Sequence, residues 1–355
     1  MRILIDINHP AHVHYSKNFI FNRLKKGDKI LVLARQKEVV ERLLQIYSID
    51  FVTKGKGSDQ VLGKIIYLIR SLILMTRKAI KFRPEIFVSY GSVNASIVSR
   101  FVGCPHLTID DTEHSVIDHS VYRHFTDIIL TPSVFKKSLG KNHYKLKFTT
   151  DSLYLSPKYF NPDRRVLKIL GLEENEPFIV YRIVAWGAFH DRGHTIKKQD
   201  DIRFLLTELN KICKVYISSE LPLSADFPGI VLSTQSEQIH SVMYFAKLMI
   251  GDSGTMCSES SYLGTPSINT SSTAKLNSVF EYFSEMGLMY LIEENHKIIV
   301  KAKQLIDQQI EEPNFYKQKA NTLQGSFVEI NELLSELVDI NEPKAMKKHL
   351  EEKWS

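Results

Sequence analysis

The feature that most constrains this chain is an alternation of short, continuous apolar runs with longer amphipathic stretches, kept up along most of its length. In the first half the runs at 3–7, 30–34, 51–53, 86–89, 106–109 and 128–131 read as strands, and helical spacing predicts helices over about 13–26, 36–47, 61–82 and 93–102. Strands that are apolar on both faces need cover on both sides, which a parallel sheet with helices on each face supplies. The stretch 141–162, with Ser156-Pro157 and Asn161-Pro162, loses the rhythm and marks a domain connection. A second series follows, with strands at 178–182, 215–218, 248–251 and 266–269 and helices over 201–211, 236–246, 255–263, 275–286 and 296–310. The expectation is an α/β protein of two doubly wound domains, 1–155 and 156–340, facing a cleft at the carboxyl ends of their strands. The terminal helices of the second domain are candidates to return to the first, and 341–355 reads as a charged tail.

Composition narrows the functional classes. A total of 46 Lys and Arg against 40 Asp and Glu gives a net charge of +6, a mixed surface without the basic excess of a nucleic-acid binder, so no nucleic-acid partner is expected. Cys104, Cys213 and Cys257 are far apart and form neither a disulfide framework nor a metal spacing, as suits a reducing compartment. The chain enters its first strand directly from Met1, without signal-peptide zones, and its longest apolar stretch, 65–75, is interrupted by Arg70. These features predict a cytoplasmic protein without a membrane span.

The most informative motif is Gly251-Asp-Ser-Gly-Thr-Met-Cys-Ser-Glu-Ser-Ser-Tyr-Leu-Gly264, a tight strand-to-helix turn after an apolar run. Free backbone N–H groups and the positive helix end at such a turn suit a diphosphate. Ser253 and Thr255 add hydroxyls, and Gly254 lets a phosphate approach the backbone. Glu259 lies at i+4 from Thr255, where a carboxylate could accept the two hydroxyls of a ribose. The alternative is structural: a capped helix ended by Gly264, with Glu259 solvated.

Three further clusters fall on loops expected at the strand ends. Asn8, His9, His12 and His14 crowd the first turn, and a neutral His12 near the positive end of a helix starting at Pro10 is a candidate to take a proton from an acceptor hydroxyl. Capping the turn or bonding a backbone carbonyl is the structural alternative. Asp110, Asp111, Glu113 and His114 follow the fifth run, with Asp111 or Glu113 as the alternative base or as a partner orienting His12; capping the next turn is the other reading. In the second domain Arg182 could neutralise a diphosphate and Trp186 stack on a ring, with His190 and Asp191 beside them. No metal site is expected: His12 and His14, at i and i+2, do not share a helix face.

These motifs carry a resemblance. The Gly251 to Gly264 segment resembles the donor-binding stretch of GT-B sugar-nucleotide enzymes, above all the UDP-N-acetylglucosamine 2-epimerases, although Thr255 stands where they carry a second glycine. The first turn resembles that of MurG-type transferases without its glycines. Across nearly the whole chain, Ile5-Asp-Ile-Asn-His-Pro-Ala-His12, Ser89-Tyr-Gly-Ser92, Asp110-Asp-Thr-Glu-His114, the loop from Arg182 to Asp191 and the Gly251 segment resemble a family known as domain of unknown function 354. The resemblance implies a GT-B fold of two Rossmann-like domains, the first on the acceptor side and the second binding a nucleotide sugar. It implies a metal-independent, cofactor-free glycosyltransferase using a nucleoside-diphosphate sugar, UDP-linked, to build a surface polysaccharide or glycolipid. A UDP-sugar epimerase or hydrolase on the same fold is one alternative, although Tyr181-Arg-Ile-Val-Ala-Trp lacks the His-Arg-x-Glu-Asn run of those epimerases. A non-catalytic nucleotide-binding protein of polysaccharide assembly is another.

Helix 61–83 is basic and amphipathic, with Arg70, Arg77 and Lys81 on one stripe and Lys64 and Lys78 beside it. It reads either as a domain helix with a solvated charged face or as a contact with the inner face of the cell membrane, where a lipid-linked acceptor would lie.

Overall fold

A computed structural model describes residues 1–58, 60–184, 199–219, 223–224, 226–234 and 236–354. The chain forms two compact units. The first comprises residues 1–154 and 327–355, the second residues 155–326.

The first unit contains β1 (Arg2–Ile7), α1 (Pro10–Lys25), β2 (Lys29–Gln36), α2 (Glu38–Ile46), β3 (Phe51–Lys56), α3 (Val61–Phe82), β4 (Ile86–Tyr90), α4 (Val93–Phe101), β5 (His106–Ile109), α5 (Val116–Tyr122), β6 (Ile128–Pro132) and β7 (His143–Leu146). Its sheet runs β3-β2-β1-β4-β5-β6-β7 with every pairing parallel. Leu4, Leu33 and Phe87 on the strands pack against Met75 and Ala79 of α3 and Ala95 and Val98 of α4 in one cluster. Removing a side chain such as Leu4 from a cluster like this costs about 2–5 kcal/mol.

The second unit follows α6 (Ser152–Leu155), which spans the junction. It contains α7 (Arg165–Ile169), β8 (Phe178–Ile183), α8 (Gln199–Asn210), β9 (Lys214–Ser219), β10 (Ile230–Val231), α9 (Ile239–Phe245), β11 (Leu248–Gly251), α10 (Gly254–Tyr262), β12 (Ser267–Asn269), α11 (Ser278–Glu285), β13 (Met289–Leu291), α12 (Asn295–Glu311) and α13 (Phe315–Gln324). Its parallel sheet runs β10-β9-β8-β11-β12-β13. The chain then re-enters the first unit through α14 (Ile330–Ile340) and α15 (Pro343–Trp354).

Two expectations need correction. The segment 341–355 is not a tail but the helix α15, held by the buried Met346 and Leu350. The stretch 141–162 is not all connection, because β7 within it adds an edge strand to the first sheet.

Both sheets are doubly wound, and each has one point where the order of strands reverses. In the first it lies between β1 and β4, and in the second between β8 and β11. Loops leaving neighbouring strands in opposite directions open a crevice there, which is where open α/β sheets hold ligands.

Candidate functional site

In the second unit the reversal brings together residues the sequence had marked. Gly251 at the end of β11 pairs in register with Arg182 of β8, so the turn 252–255 starts beside the Arg182 backbone. The approach is close enough to require glycine: a Cβ on Gly251 would stand 2.5 Å from the Arg182 carbonyl oxygen. The Arg182 side chain is half-buried and donates from Nη1 to Ser218 Oγ at 2.8 Å, while Asp252 Oδ1 accepts from the Val184 N–H at 3.2 Å.

Ser253 is the N-cap of α10, its Oγ accepting from the Met256 N–H at 3.4 Å. The N–H groups of Gly254 and Thr255 lie in the first turn, where no intrahelical acceptor exists. Gly254 has a role that the sequence reading did not foresee. A Cβ there would come within 2.5 Å of the Phe280 ring of α11, so glycine is also required here for close packing against the neighbouring helix. Glu259 is not solvated; it is buried in α10 with Oε1 3.1 Å from His240 Nε2 of α9, and Phe160 meets the His240 ring edge-on. Trp186, His190 and Asp191 lie outside the described residues.

The first unit's reversal point carries the histidine turn. His9 caps α1, its Nδ1 accepting from the Ala11 N–H at 3.2 Å, with Pro10 at the first helical position. Desolvation, with Lys37 and Arg35 nearby, lowers its pKa to about 4. His12 is half-buried, stacks near Tyr15 and lies 5.2 Å from the Tyr90 ring centroid. Burial lowers its pKa well below the usual value, and the charges of His9, Lys54 and Lys37 act in the same direction. Its Nδ1 accepts from the Asn8 N–H at 3.4 Å, so the neutral ring carries its proton on Nε2 and offers a donor there. His14 is buried between Tyr47 and Tyr154.

Beneath this turn lies a network that sequence reasoning missed. Lys54 of β3 pairs with Asp6 of β1, both side chains fully buried, and Lys54 Nζ also donates to Asn8 Oδ1 at 2.6 Å. Asp6 Oδ2 accepts from Asn8 Nδ2 at 2.9 Å and from Ser92 Oγ at 2.5 Å, and Ser92 in turn caps α4. A strand carboxylate and a lysine 48 positions later carry no local signal; only the strand order brings them together. Three hydrogen bonds made by Asn8 and Ser92 around one ion pair offset the cost of taking both charges out of water.

The acidic cluster divides into fixed groups and one candidate. Asp110 is committed, accepting from Tyr122 Oη at 2.6 Å and the Thr112 N–H at 2.9 Å, with His119 Nε2 3.1 Å away. Glu113 is buried and accepts from the Lys136 N–H, which ties its loop to the next. His114 is exposed. Asp111 is half-buried and accepts from Thr150 Oγ1 at 2.5 Å and Thr112 Oγ1 at 3.2 Å. Burial raises its pKa, the hydroxyls only partly opposing that and Asp110 adding to it. The expectation that a carboxylate orients His12 needs correction, because Asp110, Asp111 and Glu113 are engaged by these other groups. Among the described residues no group of His, Cys, Asp and Glu is placed to hold a metal ion.

The family model described as "Protein of unknown function (DUF354)" matches residues 1–332. The chain belongs to this family. An uncharacterized protein of Methanocaldococcus jannaschii is 24% identical over 283 residues, covering 75% of this chain and 81% of that protein. Among solved structures, the UDP-GlcNAc 2-epimerase of Neisseria meningitidis bound to UDP-GlcNAc superposes with a TM-score of 0.65 at 14% identity, covering 90% of this chain and 94% of that one. The spinosyn rhamnosyltransferase SpnG, complexed with thymidine diphosphate, superposes with a TM-score of 0.62 at 11% identity, covering 95% and 100%. At this identity the likeness establishes the fold, which is GT-B. Family members thus share an architecture whose solved examples include both an epimerase and a glycosyltransferase.

Proposed function

We propose that this chain is a metal-independent GT-B glycosyltransferase that takes a nucleoside-diphosphate sugar, UDP-linked, and passes the sugar to a glycan or lipid-linked acceptor. The observation that carries the reading is the juxtaposition at the second reversal point: Arg182 on β8 stands in register with the strand that leads into the capped N-terminus of α10. In this reading the Arg182 guanidinium and the first-turn N–H groups together offer a departing diphosphate positive charge without a metal. The phosphates in this reading meet the first-turn N–H groups, the Ser253 and Thr255 hydroxyls and the Arg182 side. Glu259 receives the ribose, with His240 holding its carboxylate. Nucleotide complexes of two structural neighbours support a nucleotide ligand.

In the first unit the environments separate the candidate bases. The low pKa of His12 makes it a weak base, and its Nε2 is a donor, suited to binding an acceptor oxygen. Asp111, with its pKa raised by burial, is better matched to removing a proton near neutrality. The epimerase reading is favoured by the Neisseria superposition and is separated by incubating donor without acceptor, since an epimerase alters the sugar.

The test is calorimetric titration of the chain with UDP, UDP-N-acetylglucosamine, GDP-sugars and dTDP-sugars. A UDP ligand is expected to bind, and Glu259→Gln, which keeps shape and removes charge, to weaken it tenfold or more, roughly the worth of a charged hydrogen bond. Absence of binding to every nucleotide removes the proposal.

A further inference from the structure

The sequence left α3 with two readings, and the structure favours the less ordinary one. Ser71, Met75 and Ala79 bury one side of the helix against the sheet, as a domain helix requires. The other side is not a solvated charged face. Leu62, Ile65, Ile66, Ile69, Ile73 and Ile80 are exposed, Leu62 by 69% and Ile80 by 59%. At about 100° per residue these six fall within an arc of roughly 100°, and the exposed Arg70, Arg77 and Lys81 occupy the arc next to it. The helix therefore has two apolar faces, only one of which the fold uses.

We infer that the outer face of α3 docks on an anionic lipid surface. The charge pattern selects that occupant: α3 carries Lys64, Arg70, Arg77, Lys78 and Lys81 and no Asp or Glu. A second copy of the chain fits poorly, because its own α3 brings no carboxylate to meet this flank and an antiparallel two-fold contact would set the cations against their own equivalents. An apolar stripe with cations along its edge instead matches acyl chains below anionic headgroups. No helix among the described residues is long and apolar enough to cross a membrane, so the contact is interfacial.

Topology adds a direction. In a parallel sheet every following helix begins at the carboxyl ends of the strands, so Leu62, Ile65 and Ile66 in the first turns of α3 lie at the same end of the sheet as the histidine turn. Val116 and Ile117, in the first turn of α5 at that same end, are also exposed, Ile117 by 80%. Docking by this edge would bring the first unit's site end to the lipid headgroups. The inference needs only α3 and its surroundings and does not depend on the donor reading.

Flotation of the full chain with vesicles tests it, using phosphatidylcholine alone and phosphatidylcholine containing about one quarter phosphatidylglycerol. The chain is expected to float with the anionic vesicles only. Replacing Arg70, Arg77 and Lys81 by Gln should lower the partition roughly a hundredfold, at about fivefold per cation. A variant with Ile65→Ser, Ile69→Ser and Ile73→Ser should remain in solution while melting like the parent, since these side chains are exposed. Failure to float with either vesicle overturns the inference, as does flotation untouched by both variants. A stable dimer in sedimentation equilibrium that Ile69→Glu dissociates would assign the face to a second copy and overturn it too.

Discussion

The two units bury a lysine amine in opposite ways. In the first, Lys54 meets a carboxylate, and the pair is enclosed with Asn8 and Ser92 at the end of the sheet that carries the histidine turn. In the second, Lys317 of α13 meets no carboxylate among the described residues: its Nζ donates to the carbonyls of Tyr244 and Leu263 at 2.8 Å each and to Thr265 Oγ1 at 3.2 Å, and lies 3.7 Å from the Tyr244 ring centroid. Burial lowers both amines, Lys317 to about 7, with Lys247 nearby adding to the effect. The Lys317 contacts close the C-terminal end of α10, away from the turn that begins it, so this lysine acts as a clamp. Lys54 adds, after burial and the His9 charge, to the lowering of the His12 pKa, so its placement has an electrostatic consequence at the site.

The largest effect should come from breaking the ion pair on one side. Asp6→Ala leaves Lys54 buried without its counter-charge and should cost about 3–5 kcal/mol in denaturant unfolding. Asp6→Asn combined with Lys54→Met should recover much of that loss. Equal costs for the single and double changes would mean that the pair is not the origin of the effect.

Acid should separate the units next. His106 is fully buried, with Ser89 Oγ at Nε2 and Thr126 Oγ1 at Nδ1, and desolvation lowers its pKa to about 3; His143 falls to about 4, with desolvation again the main cause. An unfolded chain binds these protons from its ordinary pKa downward, so the stability they contribute is present above about pH 6.5 and is lost as pH falls. For His106 the loss should reach about 3 kcal/mol between pH 6.5 and pH 4. Hydrogen exchange followed by mass spectrometry should show the first unit opening before the second; the reverse order would break the contrast.

The smallest effect should be Lys317→Met, about 2 kcal/mol for three lost hydrogen bonds to neutral acceptors. With its pKa lowered from the unfolded value, Lys317 makes the chain more stable as pH rises from 7 toward 10, because the unfolded state sheds its proton later. The Met variant should show a shallower slope over that range, and an unchanged slope would place the titration elsewhere.

The elements were largely legible because strands buried on both faces advertise themselves. Residues 3–7, 106–109 and 248–251 are read as strands and fall within or match β1, β5 and β11. The strands that escaped are β7, whose His-Tyr-Lys-Leu makes no apolar run, the two-residue β10, and β13, whose apolar residues follow directly on a predicted helix. Capping by Ser253 was readable from its own neighbourhood. The ring of Phe280 against Gly254 and the burial of Glu259 against His240 were not, because each joins elements 19 or more positions apart. The histidine turn drew attention as a proton acceptor, yet the features that shape its chemistry are burial of the His12 ring, a backbone N–H at Nδ1 and charges that include a lysine from another strand.

The first unit is discontinuous, and this bears on synthesis. Val328 N–H bonds the Lys147 carbonyl, Asn331 Nδ2 the Leu153 carbonyl, and Asp339 the buried Arg23 at 2.6 Å, so residues 1–154 wait for partners encoded after the whole second unit. On a ribosome the second unit has all its sequence first, although its strands are translated later. A nascent chain therefore carries an uncapped first sheet, with the Arg23 guanidinium lacking Asp339, for the time needed to translate residues 155–326. Chaperone dependence during translation should accordingly track the arrival of α14 rather than the completion of β7.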